Sequence, residues 1–212
     1  MDGTVIALRE SHDITYSHSE KLTVYIEEVL READFVPSQL EAVCVASGPG
    51  SYTGLRIGVS AAKGLCYALE IPLLAVDSLH SLALWTNQHL SSEEQQSVVA
   101  IRPMIDARRM EVYTAAYDLQ GAMLAPIAAV IVDEQSFAHE LAQGPLLFVG
   151  DGAEKCRPHL AHPNARFRPD LQPSARGMLA LAESKLAQGL VEDTAYFEPY
   201  YLKDFVAGIG KT

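Results

Sequence analysis

The 212-residue sequence is poor in cysteine, in basic side chains and in long apolar runs. Only Cys44, Cys66 and Cys156 occur, odd in number, widely spaced and without a CxxC. That excludes a disulfide framework or a zinc knuckle and points to a reducing, cytoplasmic compartment. Cys44 and Cys66 sit in apolar segments, where a thiol serves as a small core residue. No apolar stretch approaches the roughly 20 residues that a membrane-spanning helix needs. Met1-Asp2-Gly3-Thr4 has no basic segment leading into an apolar one, so no signal peptide is expected there. Lys and Arg total 16 against 27 Asp and Glu, a net charge of -11. Phosphate backbones and anionic lipid repel such a chain, so it is not expected to bind nucleic acid alone. A basic partner could still bring it into a nucleic-acid process.

Familiar catalytic patterns are also missing. There is no HExxH or HxxxH; His159 and His162 stand three apart but between Pro158 and Pro163, with no third ligand nearby. The glycine-rich stretch lacks the Gly-Lys-Ser/Thr ending of a phosphate-binding P-loop and does not fit a dinucleotide fingerprint. Ser51 is not in a GxSxG context and no base is placed for it, which argues against a serine hydrolase.

What is present is a globular composition, 49% apolar and 20% charged. Residues 4–9 alternate as a strand. Leu22, Ile26, Val29, Leu30 and Ala33 form the apolar stripe of a helix opening near His18, capped by Ser17 or Ser19 and stopped by Pro37. Residues 40–46 read as a buried strand, 55–69 as a helix ended by Pro72, 73–76 as a strand and 78–87 as a helix. Polar residues 91–96 read as a linker, dividing the chain into domains 1–96 and 97–212. Strands are predicted at 98–105, 111–117, 127–132 and 146–149, and a helix after Ser174 with Met178, Leu181, Ala182 and Leu186 inward. The strand–helix alternation predicts an α/β fold.

Three segments could carry chemistry. Between a predicted strand and helix, Ser47-Gly48-Pro49-Gly50-Ser51-Tyr52-Thr53-Gly54-Leu55-Arg56-Ile57-Gly58 reads either as an anion cradle or as a tight turn. The helix after it carries small residues, Gly58, Ser60, Ala61, Ala62 and Gly64, on more than one face. It is either sandwiched within its own domain or shared with a partner. Asp106-Ala107-Arg108-Arg109-Met110-Glu111 is either a hairpin held by ion pairs or a polar patch facing a cleft.

The 48–58 motif resembles the signature loop of the TsaB (YeaZ) family. Ala61, Ala62, Gly64 and Leu65, then Val76-Asp77-Ser78-Leu79, continue the likeness. Ile105-Asp106-Ala107-Arg108 with Glu111-Val112-Tyr113 is similar to the family's second-domain hairpin, and Glu198-Pro199-Tyr200-Tyr201-Leu202 to its C-terminal segment. The resemblance implies two ribonuclease-H-like domains of the actin-like (ASKHA) kind. It implies a paralogue of the catalytic subunit TsaD, which carries an HxxxH metal pair and transfers a threonylcarbamoyl group to a tRNA adenosine beside the anticodon. Here Leu22 stands four residues after His18, where a second His would be needed, so metal-dependent transfer is not expected of this chain. Its implied role is to bind and support TsaD in an assembly with the ATPase TsaE. A homodimer is implied when it stands alone, tRNA is met only through the complex, and no catalytic or metal site is its own. It binds no cofactor alone; ATP or ADP is assigned only to a complex interface. The expected partner surface comprises Leu22, Ile26 and Leu30 with Ser60, Ala61, Ala62 and Gly64. The signature loop contributes Gly48, Pro49, Gly50, Ser51, Thr53, Gly54, Arg56 and Gly58.

The alternative is an ASKHA-type small-molecule kinase or ATPase that uses the 48–58 loop for phosphate and Asp77, Asp106 and Asp151 for metal. The likeness also implies a strand ahead of residue 4. The first domain is therefore expected to lack its N-terminal strand or strands, leaving two unpaired edges. A version longer by roughly 15–20 residues is expected to be more stable and less prone to aggregate.

Overall fold

The structure, a computed structural model, describes residues 3–11 and 18–203, without the side chains of residues 18–20. It is a mixed α/β fold with two sheets. In the first half, α1 (His18–Glu32) precedes β1 (Val43–Gly48), α2 (Tyr52–Leu69), β2 (Leu73–Asp77) and α3 (Ser78–Gln88). β1 and β2 pair in parallel, with Val43 opposite Leu73 and Ala46 opposite Val76. A parallel pair needs a crossover, and α2 supplies it. β2 is buried from Leu73 to Val76, whereas β1 is only half-buried over residues 43–47. Both are apolar; β1 differs in being the less covered of the two.

Residues 4–9, predicted as a strand, enter no ladder. The segment is tied by the Gly3 N–H to Glu183 Oε1 at 3.1 Å and by Arg9 to Glu28 and Glu32 of α1 at 2.8 and 2.5 Å. Their alternation is real, but a strand exists only where a partner edge accepts its hydrogen bonds. The candidate caps Ser17 and Ser19 lie outside the described residues or side chains.

The second sheet has the order β5-β4-β3-β6-β7, built from β3 (Ala100–Asp106), β4 (Glu111–Tyr117), β5 (Met123–Ile131), β6 (Leu146–Val149) and β7 (Ala165–Arg168). β3, β4 and β5 are antiparallel neighbours; β6 and β7 run parallel to β3. Alternation along β3 and β6 feeds two cores. Ile101, Ile105, Leu147 and Val149 pack with Leu79, Leu82 and Ala83 of α3. Ala100, Met104, Leu146 and Phe148 pack with Leu141 of α5 (Ala138–Gln143) and with Ala153 and Cys156 of α6 (Ala153–Cys156). Strands covered on both faces read as continuous apolar runs, which is how they look in the sequence. The first of these cores draws residues from both sides of position 96. Against the first sheet lies a smaller core of Ala62, Cys66 and Leu73.

The predicted linker at 91–96 is instead a helix, α4 (Ser92–Ser97). Ser91 Oγ accepts from the Glu94 N–H at 3.2 Å and the Glu94 carboxylate accepts from the Ser91 N–H at 2.8 Å, a capping box. The Ser-x-x-Glu spacing is visible in the sequence; polar composition masks it. The helix predicted after Ser174 is split into a short 3-10 turn, Ala175–Met178, and α7 (Leu179–Ala187). Among the described residues no helix is long and apolar enough to cross a membrane.

All three cysteines are free thiols. Burial pushes the Cys44 thiol up to about 11, with Lys185 opposing. The reactive thiolate is therefore scarce at pH 8. Cys44 is expected to alkylate with iodoacetamide far more slowly in the native protein than in denaturant, with the native rate rising as pH climbs toward 11. Equal native and denatured rates at pH 8, read by mass spectrometry, would contradict this.

Candidate functional site: the loop after β1 and the outer face of α2

The glycine-rich loop is a turn that seats both a helix and a distant backbone segment. Ser51 caps α2, its Oγ accepting from the Gly54 N–H at 3.4 Å and its carbonyl from the Leu55 N–H at 2.8 Å. Gly48 has φ +113, and a Cβ there would lie 2.7 Å from the Tyr200 carbonyl oxygen. The Tyr200 N–H donates to the Ser47 carbonyl at 2.7 Å. Gly48 thus lets the C-terminal segment dock on the end of β1. At Gly58 a Cβ would make ordinary contact with Val45 of β1 at 3.7 Å, and at Gly50 and Gly54 the nearest atoms are also at ordinary distances. Pro49 follows Gly48 through a cis peptide bond.

Gly48→Ala combines a disfavoured φ with a clash against backbone. It is expected to cost about 1–3 kcal/mol and to free the end of the C-terminal segment, seen as faster proteolysis near Tyr200 and Tyr201. Unchanged melting and cleavage would show that the approach is not what requires glycine.

The C-terminal segment lies along α2. Lys63 Nζ donates to the carbonyls of Ala195 and Phe197 at 3.1 and 2.9 Å. Tyr52 and Tyr201 rings meet at 4.7 Å, and Arg56 lies 5.5 Å from the Tyr52 centroid. Tyr52, Arg56, Ser60, Lys63, Glu198 and Tyr201 surround an open groove of about 420 Å³. Tyr67 and Tyr196 are 84% and 83% exposed.

The structure fixes the phase of α2, which the sequence leaves open. Val59, Ala62 and Cys66 face inward; Thr53, Arg56, Ser60, Gly64 and Tyr67 form an exposed stripe. Of the candidate interface residues, Ser60 and Gly64 are therefore on the open face. Ala61 is half-buried, as are Leu22, Ile26 and Leu30 on α1, which packs beside α2. Ala62, 5% exposed, is in the core with Cys66 and Leu73, beyond a partner's reach in this conformation. Tyr67, Tyr196 and Lys63 escape the sequence reading. The one signal for Lys63 and Tyr67 is helical spacing from Ser60, and small residues on several faces obscure it.

Of the three aspartates considered for metal, Asp77 stands apart, whereas Asp106 and Asp151 adjoin through a backbone hydrogen bond. Asp77 caps α3, accepting from the His80 N–H at 2.7 Å and from the Tyr117 hydroxyl at 3.4 Å. Burial raises its pKa, and the Tyr117 hydroxyl is also raised, by burial and by Asp77. Asp151 accepts from the Asp106 N–H at 2.9 Å, and its pKa too is raised, mainly by burial. Asp106 pairs with Lys155 at 2.6 Å. Among the described residues no group of three or more His, Cys, Asp or Glu is placed to hold a metal ion. The Asp106–Glu111 segment is a hairpin tip held by ion pairs; the side chain of His18 lies outside the described ones.

Fold and site define an α/β protein whose most elaborated surface is a helix face strapped by the C-terminal segment. Residues 12–211 match the family model of TsaD: tRNA N6-adenosine threonylcarbamoyltransferase. The chain is 36% identical over 156 residues to the tRNA threonylcarbamoyladenosine biosynthesis protein TsaB of Bacillus subtilis, covering 70% of this chain and 62% of that protein. To the Escherichia coli protein of the same name it is 28% identical over 214 residues, covering 97% and 88%. YeaZ from Pseudomonas aeruginosa superposes with a TM-score of 0.72 at 27% identity, over 89% of this chain and 88% of that one. The chain belongs to this family, and within it to the TsaB (YeaZ) group. Its fold fits the actin-like, ribonuclease-H-like class of its neighbours.

Proposed function

We propose that the chain is a non-catalytic subunit that binds and supports TsaD during threonylcarbamoyl transfer to a tRNA adenosine beside the anticodon. The observation that carries the reading is the exposed stripe of α2, with small residues Ser60 and Gly64 at its centre and Tyr67, Tyr52 and Tyr201 around it. Small residues admit a close helix, and tyrosines and arginine are the residues that interfaces favour. The neighbouring α1 extends this surface through Leu22, Ile26 and Leu30. We read the two sheets as the centres of two ribonuclease-H-like domains. TsaE joins the assembly, with any ATP or ADP held at a complex interface, and the loop after β1 serves structure rather than phosphate.

A reconstituted transfer assay tests the reading. The chain alone with tRNA and threonylcarbamoyl-adenylate should give no product, and its addition to TsaD and TsaE should raise product formation. Transfer by the chain without TsaD would overturn it.

A further inference from the structure

The hairpin joining β3 and β4 carries two features that the proposed TsaD contact does not use. Arg108 and Arg109 both take left-handed backbone conformations, φ +69 and +51, where Asn or Gly is the usual choice. Lys155, from α6, pins the turn from below. Its Nζ donates to Asp106 Oδ1, the Arg109 carbonyl and the Glu111 carbonyl at 2.6, 2.8 and 2.7 Å. The Arg108 N–H adds a bond to Asp106 Oδ1 at 2.6 Å.

The acidic groups at this tip are already taken. Asp106 pairs with Lys155, Glu111 with Lys203 at 2.5 Å, and Asp151 accepts from backbone. Lysines thus hold the carboxylates that two adjacent arginines would otherwise have used. Both arginines are exposed, and among the described residues neither guanidinium has a hydrogen bond, ion pair or ring contact. In a chain of net charge -11 this is a local reversal of sign on a turn held by hydrogen bonds from Lys155.

We infer that Arg108 and Arg109 at the β3–β4 tip contact phosphate groups of an RNA backbone once the chain is in its complex. The inference rests on the proposed function. Guanidinium forks match phosphate oxygens in pairs, and adjacent residues on one turn can reach neighbouring phosphates of one strand. The acidity of the rest of the chain confines the contact to this point and makes it dependent on a partner that brings the RNA near.

The test is the salt dependence of tRNA binding, measured by fluorescence anisotropy with the chain and TsaD together and with the chain alone at low salt. Removing one arginine–phosphate pair lowers the slope of log K against log salt by about 1. Arg108→Ala with Arg109→Ala should lower it by about 2 and weaken binding on the order of tenfold or more at low salt, with melting unchanged. Arg108→Lys with Arg109→Lys should keep most of the slope. An unchanged slope in the alanine variant overturns the inference. So does failure of that variant to co-purify with TsaD, which would make the tip a contact for an acidic protein surface. If the wild-type chain does not bind TsaD, the proposed function fails and the inference with it; an unchanged slope in an alanine variant that still binds TsaD overturns the inference alone, and the chain alone, too acidic to hold tRNA by itself, gives the baseline.

Discussion

Gly64→Arg is expected to abolish binding to TsaD while leaving the chain folded. Gly64 stands mid-helix on the exposed stripe of α2, and a Cβ added there meets nothing within 4 Å. In the free chain the substitution is accommodated, and replacing an interior helix glycine stabilises by up to about 1 kcal/mol. At a close helix interface the same side chain obstructs approach and buries a charge without a partner, at a cost of about 2–5 kcal/mol. That corresponds to roughly 30- to several-thousand-fold weaker binding. Ser60→Arg should behave alike. Ala62→Arg should instead unfold the chain, because Ala62 packs against Cys66 and Leu73. Calorimetric titration with TsaD, beside thermal melting of each variant, separates these outcomes. Wild-type affinity in Gly64→Arg would remove the α2 stripe from the interface.

Glu140→Ala is expected to destabilise the protein by about 3–5 kcal/mol. Arg102 projects from β3 with its side chain 5% exposed, and its Nη2 meets Glu140 Oε1 of α5 at 2.6 Å. Burial pulls the guanidinium down from its usual range and the carboxylate opposes that shift. Phe137 lies 4.1 Å from the guanidinium carbon, but Arg102 Nε and Glu140 Oε2 are buried without hydrogen-bond partners. Removing Glu140 strands a buried cation. Arg102→Met with Glu140→Leu removes both charges and should recover most of the stability, since an apolar pair of similar volume often matches a buried ion pair. Urea unfolding of the three proteins measures both effects; a change below about 1 kcal/mol in Glu140→Ala would contradict the account.

Much of the second sheet is legible because β3, β4 and β6 are largely apolar, and apolar runs bounded by turns are what sequence reveals best. The Arg102–Glu140 pair is not, because its partners lie 38 residues apart and meet only through the packing of α5 on the sheet. α4 escapes although its capping box is written in Ser91 and Glu94. Residues 4–9 show the opposite failure, a sound alternating pattern that enters no ladder, although among the described residues β1 is paired only with β2. In the site, the turn reading of the 48–58 loop follows from its glycines, but the reason for Gly48 lies at Tyr200, more than 150 positions away. The phase of α2 is hidden by its own composition. Alanine, glycine and serine satisfy a core face and a contact face equally, and only the packing of Val59, Ala62 and Cys66 distinguishes them.

Association with the TsaD subunit is measured directly by sedimentation velocity of an equimolar mixture. One faster boundary with the mass of a heterodimer is expected, reverting to separate components when Gly64→Arg replaces the wild-type chain. Two independent boundaries for the wild-type mixture at tens of micromolar would contradict it.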